Sequence, residues 1–182
     1  MQVQEFKIAG LKLITMKKFA DERGFFSERF KEFELPALGI HDHFIQDNHS
    51  RSQAQVLRGL HFQYEKPQAK LVTCLTGQIL DVAVDIRSQS PTYGQHVACI
   101  LDSENPQWFY IPAGFAHGFC VLGDRPADVM YKVNAPWNSP GEGAIRWNDP
   151  DLAIEWPLQS PLLSAKDAQA PSFRDYKLNS RF

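Results

Sequence analysis

The chain has 182 residues and is 43% hydrophobic, which suits one domain with a real core and excludes a disordered chain. With 19 basic and 21 acidic residues, the net charge of -2 excludes a broad electrostatic footprint for nucleic acid or an anionic membrane. Any phosphate-bearing ligand must therefore be met by a few placed cations.

Along the chain, Asp21 to Glu28 reads first as a charged loop entering a strand, with Arg23 and Glu28 flanking Gly24 and two phenylalanines. Glu32 to Leu38 suits one or two helical turns interrupted by Pro36. In the strand Arg58 to Gln63, strict alternation points Arg58, Leu60 and Phe62 one way and Gly59, His61 and Gln63 the other. Lys70 to Thr76 is a further strand, and Gly77-Gln78 reads as a hairpin turn into the next. There Leu80, Val82, Val84 and Ile86 alternate with Asp81, Ala83, Asp85 and Arg87. Val97 to Leu101, Trp108 to Ile111 and Val129 to Val133 are strands, punctuated by turns at Pro112-Ala113-Gly114 and Asp124-Arg125-Pro126. Ser164 to Gln169 suits a short helix with Ser164 as its cap. Many short strands with frequent turns predict an all-β double-sheet roll of the jelly-roll or cupin kind, with short peripheral helices, forming one domain over 1–182 with a C-terminal tail from about residue 160.

The three cysteines, Cys74, Cys99 and Cys120, form no CxxC pair. That speaks against a disulfide framework or zinc cluster and fits a reducing cytoplasm. The first residues carry no signal-peptide pattern and no apolar run reaches a membrane span. Chemistry concentrates elsewhere. Pro112-x-Gly114-x-x-His117 has the spacing of the second cupin half-motif, a turn that returns a histidine into the barrel. In the first half-motif, His61-Phe62-Gln63 stands where metal cupins carry H-x-H, so a three-histidine metal site cannot be assembled; two histidines with Glu65 are the remaining metal set. His61 alone reads equally as a hydrogen-bonded barrel histidine, and Tyr131 as a core aromatic with its hydroxyl satisfied at the rim.

The segments DERGFFSERF, QDNHSRS, VLRGLHFQ, QAKLV, GQILDVAVDIRSQSPTYG, IPAGFAHGF, YK and WNDPDLAIEWPL, in order over nearly the whole chain, resemble the dTDP-4-dehydrorhamnose 3,5-epimerase family. The resemblance implies a homodimeric, cytoplasmic cupin-type barrel that uses neither metal nor cofactor and acts on a dTDP-linked 4-keto-6-deoxyhexose. It assigns His61 as general base, Asp167 as the group that orients it, Lys70 as the stabiliser of the enolate oxygen, and Tyr131 as the acid on the opposite face. It assigns Arg23, Glu28, Gln46, Asn48, Arg58, His117, Glu142 and Lys166 to nucleotide, diphosphate or sugar, with Arg23 and Glu28 reaching in from a partner subunit. Where the family often has a Tyr-Tyr pair, this chain reads Ala135-Pro136-Trp137. A proton beside a ketone needs a base, a cation on the developing enolate and a second proton source, and His61, Lys70 and Tyr131 are of those types. Two other functions compete: a mono-epimerase acting at C3 or C5 alone, and a non-catalytic sugar-nucleotide-binding cupin, which has no use for a base and an acid.

Overall fold

All residues, 1–182, are described by a computed structural model. Thirteen strands follow in chain order: β1 (Gln2–Glu5), β2 (Lys12–Thr15), β3 (Phe19–Asp21), β4 (Gly24–Phe26), β5 (Gln46–Ser52), β6 (Leu57–Gln63), β7 (Lys70–Thr76), β8 (Gln78–Asp85), β9 (His96–Asp102), β10 (Gln107–Ile111), β11 (Phe115–Val121), β12 (Ala127–Val133) and β13 (Glu142–Ala144). They form a six-stranded sheet in the order β1-β2-β10-β7-β12-β5, facing a five-stranded sheet in the order β13-β6-β11-β8-β9. The hairpin β3-β4 stands apart from both. From β5 to β8, and again from β9 to β13, each strand lies in the opposite sheet from the one before it, which is the jelly-roll path.

That path corrects the expected hairpin at Gly77. β7 pairs with β10 and β12, whereas β8 pairs with β9 and β11, so Gly77 is a corner between sheets. Its φ is +77°, and a Cβ there would lie 2.8 Å from the carbonyl oxygen of Pro126. Only glycine fits so tight a corner against the neighbouring backbone.

Apolar residues fill three layers. Between the sheets lie Val72, Ile79, Ala83, Phe109, Phe119 and Val129. Outside the six-stranded sheet, Ile14, Leu71 and Trp108 are covered by Leu35 and Ile40, in and beside the 3-10 helix Glu32–Leu38. Outside the five-stranded sheet, Leu60, Val82, Val84 and Ile86 are covered by Leu152, Phe173 and Tyr176. The alternating apolar face of β8 therefore packs outward, and its polar face, Asp81 and Asp85, is also fully buried.

The C-terminal segment is thus a cover of the sheet. Its second helix, α2 (Phe173–Leu178), has a capping box between Ser172 and Asp175. The first, α1 (Ala165–Ala168), is a single turn. Helices this short do not persist alone. Burying Phe173 stabilises by roughly 1.5–3 kcal/mol, and Tyr176 donates its hydroxyl to the Ile86 carbonyl at 2.9 Å. Buried Asp149 accepts from the Phe173 amide at 2.9 Å. No helix is long and apolar enough to cross a membrane.

Candidate active site

A cleft of about 470 Å³ opens between the two sheets. From the five-stranded sheet it receives Arg58, His61 and His117; from the six-stranded sheet, Lys70 and Tyr131; from the C-terminal cover, Lys166 and Asp167. The middle of the chain and its tail therefore meet here.

Strict alternation on β6 separates Arg58 from His61, but both line the cleft. The pairing of β6 with β11 explains this. His61 opposes His117, whereas Arg58 opposes Phe119, so the register slips by one residue between them. The extra residue of such a bulge re-aims the side chains that follow it. At the slip Gly59 and Gly118 touch: a Cβ on Gly59 would lie 2.5 Å from the Gly118 Cα. Two glycines thus permit the strand contact that sets His61 beside His117.

His61 bonds Asp167 through Nε2 at 2.5 Å, and its side chain remains 31% exposed on the cleft side. Asp167 is buried on α1. Burial alone pushes its pKa up; hydrogen bonding and charge from His61, with hydrogen bonds from Ser164 and the Gly59 backbone, outweigh this and hold it below the usual carboxylate value. The pair is therefore built around an ionised Asp167. His117, next door, is buried, and its Nε2 meets both oxygens of fully buried Asp81 at 2.9 and 3.0 Å. Burial, the largest effect, lowers the His117 pKa despite the opposing pull of Asp81, with Lys70 and His61 adding to the drop.

Across the cleft, Lys70 has no ion pair and no hydrogen bond, and its Nζ lies 6.0 Å from the centre of the Tyr131 ring. Desolvation draws its pKa down to about 8, partly offset by Asp81 and Glu142. The Tyr131 hydroxyl likewise has no hydrogen-bond partner within the chain. Burial raises its pKa, with Arg58 opposing and Glu142 assisting, so it stays protonated at neutral pH. At the rim Lys166 pairs with Glu142 at 2.6 Å. Arg58 is anchored by its Nε to Ser52 Oγ at 2.9 Å, leaving most of its guanidinium donors free.

Five of the sequence candidates do not line this cleft: Glu142 reaches it only through its pairing with Lys166, and four others lie further away. Arg23 sits at the exposed tip between β3 and β4, paired with Asp21 at 2.6 Å. Glu28 pairs with Lys31 at 2.6 Å. Gln46 and Asn48 bond each other at 2.8 Å on β5, where Asn48 is the register partner of Tyr131. The metal set of two histidines with Glu65 does not assemble either: Glu65 is exposed and approaches Asn138 at 3.4 Å. Conversely, Asp81 and Ser164 were not among the candidates. In the sequence Asp81 stands only as a carboxylate on the polar side of an alternating strand, and Ser164 as a helix cap three residues before Asp167.

Comparison with known proteins converges. The family profile of dTDP-4-dehydrorhamnose 3,5-epimerase matches residues 5–175. A dTDP-4-dehydrorhamnose 3,5-epimerase of Shigella flexneri is 49% identical over 178 residues, covering 96% of this chain and 97% of the relative. The crystal structure of a dTDP-6-deoxy-D-glucose-3,5-epimerase from Legionella pneumophila in complex with dTDP-4-keto-L-rhamnose is 49% identical, covers 95% of this chain and 93% of its own, and superposes with a TM-score of 0.91. A 3'-monoepimerase from Streptomyces bikiniensis, solved with dTDP-quinovose, is 32% identical, with a TM-score of 0.90 over 97% of this chain and 90% of its own. With the family profile matched over nearly its whole length, the chain belongs to the dTDP-4-dehydrorhamnose 3,5-epimerase family.

Proposed function

We propose that this chain is an epimerase that inverts C3 and C5 of a dTDP-linked 4-keto-6-deoxyhexose by proton abstraction and return through an enolate. The observation that carries the reading is the opposition of His61, held by Asp167 on one sheet, to Lys70 and Tyr131 on the other, with the cleft between them. A sugar ring placed there meets a base on one face and an acid on the other.

With Nε2–H donated to Asp167, the Nδ1 lone pair of His61 removes the proton beside the ketone. The C–H electron pair moves into the C–C bond and the carbonyl pair onto O4. Lys70, an unpaired cation in a partly desolvated site, stabilises that oxygen. Tyr131 delivers a proton from the opposite face as the ketone re-forms, which inverts the centre. The ketone is the electron sink, so the step draws on side chains alone. Arg58 and Lys166 are the placed cations for the diphosphate; His117 lines the same cleft, and Glu142 holds Lys166 at its edge.

Proton NMR in deuterated water tests this. A dTDP-4-keto-6-deoxyglucose substrate is expected to take up deuterium at both C3 and C5. Exchange at one carbon alone establishes the mono-epimerase instead, and no exchange leaves a binding protein.

The same reading includes a homodimer. β3 and β4 are exposed throughout, with Phe19, Phe25 and Phe26 at 54%, 45% and 65%, and an isolated two-stranded hairpin is marginal in water. A two-fold partner covers those rings and carries Arg23 and Glu28, with Gln46 and Asn48 on edge strand β5, towards a cleft. Sedimentation at micromolar concentration is expected to give twice the chain mass; a fully active monomer overturns it.

A further inference from the structure

We infer that Ser164 is a positioning residue for the reaction: its hydroxyl fixes the turn that presents Asp167 to His61. The inference rests on the proposed roles of His61 and Asp167.

The turn has little to hold it otherwise. α1 has four residues, and a helix that short is not self-supporting. It also sits at the end of a long excursion, because Asp167 lies 106 residues beyond His61. Two devices return it to the barrel. The first is backbone pairing just before the turn: the Leu162 amide donates to Gln55 O at 2.8 Å, and the Leu57 amide donates to Leu162 O at 3.1 Å. This zips residue 162 onto the strand that carries His61.

The second is Ser164 itself. It takes the extended cap conformation, φ -70° and ψ 157°, and its Oγ accepts from the Asp167 amide at 3.1 Å. An N-cap normally satisfies an orphan donor and starts a helix. Here the donor it satisfies belongs to the residue whose carboxylate grips the base, so the cap fixes the backbone from which the Asp167 side chain departs. Ser164 also lines the cleft, and its hydrogen bonding helps keep Asp167 ionised. Loss of the hydroxyl frees the Asp167 backbone while keeping its carboxylate group, so that group is no longer held in one position against His61 and the ring loses a defined tautomer.

The test is a double-mutant cycle of Ser164→Ala and Asp167→Asn, with Ser164→Thr as the variant that keeps the oxygen. Ser164→Ala is expected to lower kcat on the order of tenfold, within the range for a lost cap, with KM within about twofold. Ser164→Thr should restore kcat. In the Asp167→Asn background, Ser164→Ala should change kcat little further, because it acts through that carboxylate. Nitrogen-15 NMR of the His61 ring should show the Nε2–H tautomer in the native protein and in Ser164→Thr, and averaging in Ser164→Ala. Equal losses in both backgrounds, or an unchanged kcat and tautomer in Ser164→Ala, overturn the inference while leaving the base assignment standing. An unchanged kcat in Asp167→Asn alone removes the proposed role of Asp167 and the inference with it.

Discussion

Two histidine-aspartate pairs stand side by side, since His61 and His117 are register partners on β6 and β11. They are built differently. His117 meets Asp81 on the next strand of the same sheet, 36 residues away, and the pair is buried except where the His117 ring meets the cleft wall. His61 meets a carboxylate supplied by the C-terminal cover and keeps about a third of its side chain open to the cleft. A pair closed within a sheet holds a fixed, nearly dry geometry and shows only a small part of its imidazole to the cleft. A pair closed by the tail leaves one nitrogen of its imidazole free for chemistry. The difference separates the proposed base from its neighbouring scaffold within one stretch of sheet.

Substituting the open pair breaks the comparison hardest. His61→Asn keeps size and polarity and deletes the proposed base. Deuterium uptake at both C3 and C5 should then fall by on the order of 10²–10⁴-fold. Tyr131→Phe deletes only a hydroxyl on the facing sheet. It should retain some exchange and lose inversion at C5, which Tyr131 chiefly serves by the family resemblance. If Tyr131→Phe abolishes all exchange while His61→Asn exchanges normally, the two sheets carry the opposite roles.

The aspartates sharpen it. Asp167→Asn leaves the proposed base without its orienting charge and should lower kcat on the order of 10²-fold, with little change in the denaturation midpoint. Asp81→Ala strands the buried His117 Nε2 and should lower stability by about 1–3 kcal/mol, read by denaturant titration. A large stability loss from Asp167→Asn with normal turnover makes both pairs structural.

How far the sequence carried this site depended on the range of the interactions. The period-two pattern of β8 marked a strand because alternation is local, but the pattern alone did not reveal that Asp81 and Asp85 are buried on its other face. Ser164 was readable as a cap, yet its link to a base 103 positions earlier in the chain is tertiary. Gly77 suggested a turn, and only the sheet pairing distinguishes a corner from a hairpin. The β6 slip that lets Arg58 and His61 share a cleft depends on Gly118, a residue of another strand. The capping-box spacing of Ser172 and Asp175 is the one local signal for helix α2. Asp167 entered the site through the family resemblance, because spacing cannot join residues 106 apart.

The smallest expected effect comes from the facing sheet, where Lys70 differs from both histidines in having no partner at all. Its pKa is drawn down to about 8 by burial, against the pull of Asp81 and Glu142. In its proposed role it stabilises the enolate only as the ammonium, so activity is expected below that pH and is lost as pH rises through it. The profile of kcat/KM reports the free enzyme, in which the cleft holds no diphosphate to shift the value. Titration of one group near 8 makes kcat/KM at pH 9 roughly tenfold lower than at pH 7. Lys70→Arg separates this limb from others. A guanidinium does not titrate in this range, so the variant, slower overall because its fork does not copy the ammonium, should lose the decline between pH 7 and 9. If the same decline persists in Lys70→Arg, another group controls it, and the unpaired cation across from His61 is not the one that holds the enolate.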